Sequence, residues 1–305
     1  PKRMLPLAYF FALAGMIGCL PAFQSNQLIQ ITGDLAFSEI ENFNIFGGLV
    51  LAGITGIVVI GGLKRIAEVA TFLVPLMGSI YFGAMLIALI LNLDQVFPAF
   101  KLILVDAFNG TAIAGGTFFG VLIYGVRRGA FSNEAGMGTE SLVHGVAKVS
   151  DPVKQGLVAM TGPIFDTLII CTATALMILI SGVWETSTSQ GVTLTAEAFS
   201  MLLGNFGGFI LFICVICFGL STIFTYSYYG ASCSRFLFGK FGMKFYIYLY
   251  IFSIFIYSIV PIDIAINIAD GAFAMMAIPT LVSALWLAPK VMQASKNYFK
   301  LIDSY

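Results

Sequence analysis

Apolar residues fill eight runs along the chain, at about 6–23, 46–63, 71–91, 115–147, 156–182, 206–229, 245–260 and 264–287, and polar positions gather in the joints between them. About 20 consecutive apolar residues form a helix about 30 Å long, which matches the hydrocarbon core of a bilayer. The pattern therefore predicts an all-α integral membrane protein of about eight transmembrane helices, forming a single transmembrane domain over 1–305. The longest polar stretches, 24–44, 92–110 and 185–197, are short enough to be outer loops or partly interfacial helices.

Only the fourth run breaks its own pattern. Its middle, 127–139, reads RRGAFSNEAGMGT. As continuous helix, roughly 33 residues would span about 50 Å, so the centre is predicted not to rise as helix. Non-helical backbone at membrane depth survives only where protein buries it or where it lines a wet cavity, and broken spans of this kind hold solute sites in secondary transporters. Gly129, Gly136 and Gly138 supply backbone freedom, and Phe131 an apolar wall. Ser132, Asn133 and Glu134 bring polar groups to mid-depth, where an unpaired carboxylate costs about 2.5–3.5 kcal/mol. Arg127 or Arg128 is a natural partner, and Arg128 with Glu134 is a candidate gating or coupling pair. The bland alternative is a structural ion pair stapling a kink.

Composition agrees with the class: 59% of residues are hydrophobic and 10% charged, far outside the soluble globular range, and no nucleic-acid partner is expected. The charges also orient the chain. If spans alternate sides, one set of connections carries Lys2, Arg3, Lys64, Arg65, Lys148, Lys154, Arg235, Lys240, Lys244, Lys290, Lys296 and Lys300, and the other only Lys101. The positive-inside rule then places both visible ends in the cytoplasm of a multi-pass protein of the plasma (inner) membrane. The chain opens on Pro1 within a short basic segment, from which a missing natural N-terminus is expected. The five cysteines sit in or beside apolar spans as small hydrophobes, Cys214 and Cys217 included, so no metal or redox centre is expected.

Other polar side chains interrupt the spans. GLSTIFTYSYYG places Ser221, Thr222, Thr225 and Ser227 in the sixth run, with Tyr226 four residues after Thr222 on the same helical face. Each hydroxyl either bonds back to its own helix or, as an adjacent Ser-Thr pair, offers oxygen to a monovalent cation. Gln24, Asn26 and Gln27 close the first run near its outer end, solvated or facing a solute. Asp166 and Asp270 are read as helix-packing acceptors because neither is next to an expected break, with a coupling role as the alternative. His144 is expected to be solvated at the cytoplasmic end, and Gly48, Ala52 and Gly56 to admit a neighbouring helix closely.

YGVRRGAFSNEAGMGTESLVHGVAK, followed by DPVKQGLVAMTGPIFDTLIICTATALMILISGVW, closely resembles the alanine or glycine:cation symporter family, the sodium:alanine symporters. STIFTYSYYG, GGLKRIAEVATFLVP and INIADGAFAMMAIPTL resemble the same family in order, so the likeness covers essentially the whole chain. It implies core helices three to ten of a leucine-transporter-like fold, a 5+5 inverted repeat, with the first two core helices missing and the broken span as helix six. By position it places Gln24, Phe131, Ser132, Asn133, Thr222 and Tyr226 around the substrate, and Ser221 with Thr222 at a sodium site. Tyr226 stands where the family commonly has Trp. Pro21 and Phe23 replace a usual Gly-Asn, and Phe273 and Thr280 replace common Asn residues.

The expectation is a symporter, not an enzyme, importing alanine or glycine with sodium as co-substrate across the lipid bilayer by alternating access, with no cofactor. Its rivals are a proton-coupled carrier of the same fold and a non-transporting amino-acid sensor or channel.

Overall fold

The computed structural model describes residues 4–108 and 117–302, without the side chains of 117, 118 and 205. Lys2 and Arg3, and the start of the fourth run at 115, lie outside the described residues. Those described form helices and no strands: α1 (Leu5–Gly18), α2 (Ala22–Ala36), α3 (Phe43–Val59), α4 (Gly62–Leu91), α5 (Leu93–Ala107), α6 (Thr117–Asn133), α7 (Thr139–His144), α8 (Pro152–Pro163), a π-helical turn (Ile164–Cys171), α9 (Thr172–Ser181), α10 (Val183–Thr186), α11 (Val192–Leu203), α12 (Asn205–Ile259) and α13 (Ile262–Ile302).

Five helical segments are long and apolar enough to cross a membrane: Leu5–Ala36, Gly62–Leu91, Pro152–Ser181, Phe206–Ile259 and Ile262–Ile302. Eight runs become five for identifiable reasons. The second run forms α3, only 17 residues long, and the fourth is interrupted between α6 and α7. The sixth and seventh share α12. That helix is not straight, because Gly239 has φ 69° and ψ −156°, a conformation that costs glycine nothing. The two halves fold back on each other there. Tyr250 Oη donates to the Ile223 carbonyl at 2.6 Å, and the Tyr246 ring lies against Gly230, a pairing whose residue numbers rise on one side as they fall on the other. An antiparallel helical hairpin follows.

The joints differ from expectation. Lys64 and Arg65, read from the sequence as part of a connection between spans, instead open α4, and Arg65 Nη1 donates back to the Ile57 carbonyl at 2.7 Å near the end of α3. A cation there complements the exposed carbonyls of a helix C-terminus. The polar stretch 24–44 is helical as far as Ala36, with Ser25 and Gln27 buried. Gln27 accepts from the Val192 amide at 3.1 Å, and Thr193 donates to Asp34 at 2.9 Å, so two of the segments assigned to the outer side meet.

Packing is inside-out in the way lipid demands. Phe241, Phe97 and Leu285 are 77–81% exposed, whereas Tyr250, Phe199 and Ile223 are fully buried. One core joins α1, α2, α3, α12 and α13 around the interrupted span. A second gathers Ile31, Met85, Met177, Phe199 and Leu211. Small residues set the closest approaches: a Cβ added at Gly48 on α3 would lie 2.8 Å from Ser258 on α12, and one at Gly18 on α1 3.2 Å from Ala272 on α13.

Candidate functional site

The break is narrower than the polar string suggests. Arg127 to Asn133 remain helical, the polar side chains of Arg128, Ser132 and Asn133 finding partners on neighbouring elements while the backbone keeps its own bonds. Helix is lost only over 134–138 and resumes at Thr139. Three residues there take positive φ: Glu134 at 53°, Gly136 at 82° and Gly138 at 88°. For a glutamate this conformation is strained, and such strain clusters at functional sites. Asn133 stabilises the turn, its Oδ1 accepting the Ala135 amide at 2.9 Å.

Four elements converge on this turn. From α12, Tyr226 Oη donates to Glu134 Oε1 at 2.5 Å. From α13, Asp270 takes both bonds from Arg128 Nη2, at 2.6 and 2.5 Å, and Thr280 donates to the Met137 carbonyl at 3.3 Å. From the π-helical turn, Asp166 accepts from the Ser132 hydroxyl, and Thr167 Oγ1 accepts from Asn133 Nδ2 at 3.0 Å. Phe23, at the start of α2, meets the Phe131 ring edge-on at 5.3 Å, and Phe131 lies 5.3 Å from Phe273. Tyr226 completes the aromatic wall, 6.5 Å from Phe273.

The expected Arg128–Glu134 pair is not present. Arg128 turns to Asp270 and stacks at 5.5 Å over both Tyr124 and Phe131, while Glu134 turns to Tyr226. A helix that ends at Asn133 carries Glu134 away from the face that presents Arg128. The expectation that Asp166 and Asp270 sit apart from any break also fails. Asp270 packs on the broken span, and Asp166 lies within a π-helical stretch that begins directly after Pro163, which lacks an N–H to donate. Sequence could have flagged Asp270 by its opposite charge, but nothing linear places it opposite Arg128, 142 residues away.

The remaining candidates scatter. Gln24 is half-buried and makes no hydrogen bond among the described residues, although its neighbour Phe23 joins the aromatic wall. Asn26, half-buried, ties α2 to the end of α12 by donating to the Val260 carbonyl at 2.7 Å. Ser221 donates to the Phe218 carbonyl at 3.0 Å and faces the Met77 sulfur on α4 at 3.9 Å. Thr225 and Ser227 likewise bond back to their own helix, whereas the Thr222 hydroxyl, one turn before Tyr226, has no hydrogen-bond partner among the described residues. His144 meets Gln155 at 2.6 Å.

Two cavities flank the break. One of about 350 Å³ is lined by Arg127, Phe131, Met137, Asn267, Asp270 and Phe273 among others. The other, about 580 Å³, lies between α1, α7, α12 and α13 and touches Gly138 and Thr280. Its outer lining brings Met4, Leu142, Phe236 and Leu287 to one end of the bundle.

Residues 2–304 match the model of the sodium:alanine symporter family. An uncharacterized transporter of Bacillus subtilis is 34% identical over 308 residues, covering 97% of this chain and 64% of its own length. The sodium/alanine symporter AgcS of Methanococcus maripaludis is 34% identical over 302 residues, with 97% and 65% coverage. The probable sodium/glutamine symporter GlnT of Bacillus subtilis is 33% identical over 275 residues, with 90% and 58% coverage. The chain thus spans less than two thirds of the length of each.

Proposed function

This chain belongs to the sodium:alanine symporter family, and on that premise we propose that it imports a small neutral amino acid, alanine or glycine, together with sodium. The observation that carries this reading is the turn at 134–138, where Tyr226 holds Glu134 beside a wall of Phe131 and Phe273. The carbonyl end of α6 and the Glu134 carboxylate suit an ammonium group, since a helix C-terminus carries partial negative charge. The apolar wall of Phe131 and Phe273 suits a hydrogen or methyl side chain better than a polar amide, so this reading takes alanine or glycine over glutamine. Sodium is the co-substrate in this reading, with the Thr222 hydroxyl one turn from Tyr226 and unpartnered among the described residues, Ser221 beside it, and Gln24 at the edge of the substrate wall.

Around this site the proposal is alternating access across a leucine-transporter-like arrangement of eight crossings, with Arg128 and Asp270 as a gate. The cytoplasmic assignment of both visible ends is supported by the meeting of Met4, Leu142, Phe236 and Leu287, each near basic residues of one set. The test is uptake of labelled alanine, glycine and glutamine into proteoliposomes by the full-length protein, with and without an inward sodium gradient. Sodium-driven accumulation of alanine or glycine is expected. Preference for glutamine refutes the alanine or glycine assignment, and binding without accumulation favours a sensor or channel.

Proton coupling has its own support, since Glu134 and Asp166 are carboxylates with no basic partner among the described residues. Accumulation driven by a pH gradient in sodium-free buffer would transfer the coupling role to one of them.

A further inference from the structure

We propose that the tip of the α12 hairpin is a docking surface for anionic phospholipids, with Arg235, Lys240, Lys244 and Lys290 on the headgroup phosphates and Phe238 and Phe241 among the acyl chains. The surface is separate from the solute site, and it stands or falls independently of what the protein carries.

From Arg235 to Phe245 the tip reads RFLFGKFGMKF, three basic residues among four phenylalanines and no acid. The chain reverses at Gly239 and leaves these side chains outside: Phe238, Phe241 and Phe245 are 60–81% exposed, and the three cations are exposed beside them. α13 adds a fourth charge. Phe236 and Leu287 line the same cavity, which brings the first arm of the hairpin beside α13, and Lys290 follows Leu287 by about one turn. Depth agrees with an interfacial position. The second arm, 240–259, is about 30 Å long, the thickness of the hydrocarbon core, so Ile259 at one boundary puts the tip at the other. Trp286, exposed one turn before Lys290, marks the same level, since tryptophan gathers at the membrane–water interface. Phenylalanine interleaved with Lys and Arg is the composition of a segment that lies in that interface.

The positive-inside rule asks for cations in these connections, but it does not ask that they be unpaired. Other cations of the same set are matched within the protein. Lys64 lies 3.9 Å from Glu68, Arg65 donates to the Ile57 carbonyl, and Asp151 stands in sequence between Lys148 and Lys154. Arg235, Lys240, Lys244 and Lys290 meet no acid and no hydrogen-bond acceptor among the described residues. Four unpaired cations over exposed rings complement a leaflet of negative headgroups, where each Lys or Arg near the surface strengthens association about fivefold. A cytoplasmic protein is the poorer fit, because rings at the edge of the hydrocarbon core already reach acyl chains.

The experiment places a reporter at the tip, Phe241→Trp, in the full-length protein reconstituted into phosphatidylcholine vesicles that contain either brominated phosphatidylglycerol or the same amount of brominated phosphatidylcholine. Bromine quenches tryptophan on contact, and the signal is the quenching added to that of Trp184 and Trp286 in the parent protein. Both lipids are expected to quench, with phosphatidylglycerol associating about tenfold more strongly at low salt. That preference should fall towards one in about 1 M salt, where the Debye length is about 3 Å. Lys240→Gln with Lys244→Gln should bring the preference within about twofold of none, whereas Lys148→Gln with Lys154→Gln removes the same charge from another connection and leaves it unchanged. If the first pair does not fold, Arg235→Gln with Lys290→Gln carries the same reading. Quenching by neither lipid overturns the proposal, since the tip then sits in water or under another protein or a second copy. Equal quenching by both lipids, or an equal loss in the Lys148 and Lys154 variant, also overturns it, since net charge alone is then at work. None of these readings involves uptake, so a failure to transport alanine leaves the surface standing and sinks only the symporter reading.

Discussion

Removing either partner of the Arg128–Asp270 pair leaves a charge stranded at the broken span, and the structure gives the size of that cost. The pair is close, at 2.5 Å, with side chains 30% and 20% exposed. Breaking a fully buried pair costs about 3–5 kcal/mol, and partial exposure puts this one at the lower end, about 3 kcal/mol for Asp270→Ala. Arg128→Ala also loses the stacking on Tyr124 and Phe131, adding about 1 kcal/mol. The double variant strands no charge, so it should lose only packing, about 1–2 kcal/mol. At about 2 °C per kcal/mol for a chain of this size, the single variants should melt about 6–8 °C below wild type and the double only about 2–4 °C below. Thermal unfolding of the detergent-purified protein, followed by intrinsic fluorescence, measures all four corners of the cycle. A double variant that falls by the sum of the singles would falsify the coupling, since independent sites add and interacting ones do not.

Gly138→Ala should abolish most uptake, because a Cβ there has φ 88° and would lie 2.6 Å from the Phe11 ring, whereas Gly136→Ala meets only Leu281 at 3.6 Å and should cost about 1 kcal/mol of strain; equal losses in the uptake assay would contradict this. Tyr226→Phe removes a charge-assisted bond to Glu134 and should lower kcat/KM for alanine by about tenfold or more, with unchanged rates refuting the contact. Thr222→Ala should weaken sodium dependence more than substrate recognition, which parallel sodium and alanine titrations would check. Phe273→Ala should open the aromatic wall and admit larger neutral amino acids in competition uptake, and an unchanged selectivity profile would remove Phe273 from the pocket.

Hydropathy revealed the helices and the location of the break, because lipid exposure imposes a pattern that no local rule overrides. It also separated the sixth run from the seventh, but not the form of the joint between them. Gly239 folds α12 back on itself, yet the basic residues around it read only as a short connection. Sequence overestimated the unwound segment because Arg128, Ser132 and Asn133 look out of place in an apolar run. Their partners lie on α13 and the π-helical turn, and partnered polar side chains leave a membrane helix intact. The site was visible on one side alone: Phe131, Ser132, Asn133, Glu134 and Tyr226 come together, whereas Asp166 and Asp270 looked like packing residues until the fold brought them opposite the break. Ser221 shows the converse, a hydroxyl singled out by its neighbours that spends its bond on its own helix.

α13 touches the interrupted span at three levels: Asp270 on Arg128, Phe273 on Phe131, and Thr280 on the Met137 carbonyl. These contacts are strung over about 15 Å of one helix, above, beside and below the turn. One is ionic, one aromatic and one a neutral hydrogen bond, so no single change of solvent or salt loosens all three. A helix held at three points behaves as a ruler for its neighbour, and sliding it by one residue would misalign every contact together. Inheritance should bear the mark: a lineage altering the chemistry at 270 or 273 has to adjust the opposing positions 128 and 131 in step, 280 has only to keep a donor for the 137 carbonyl, and grafting a foreign α13 into this protein would fail unless the broken span travels with it.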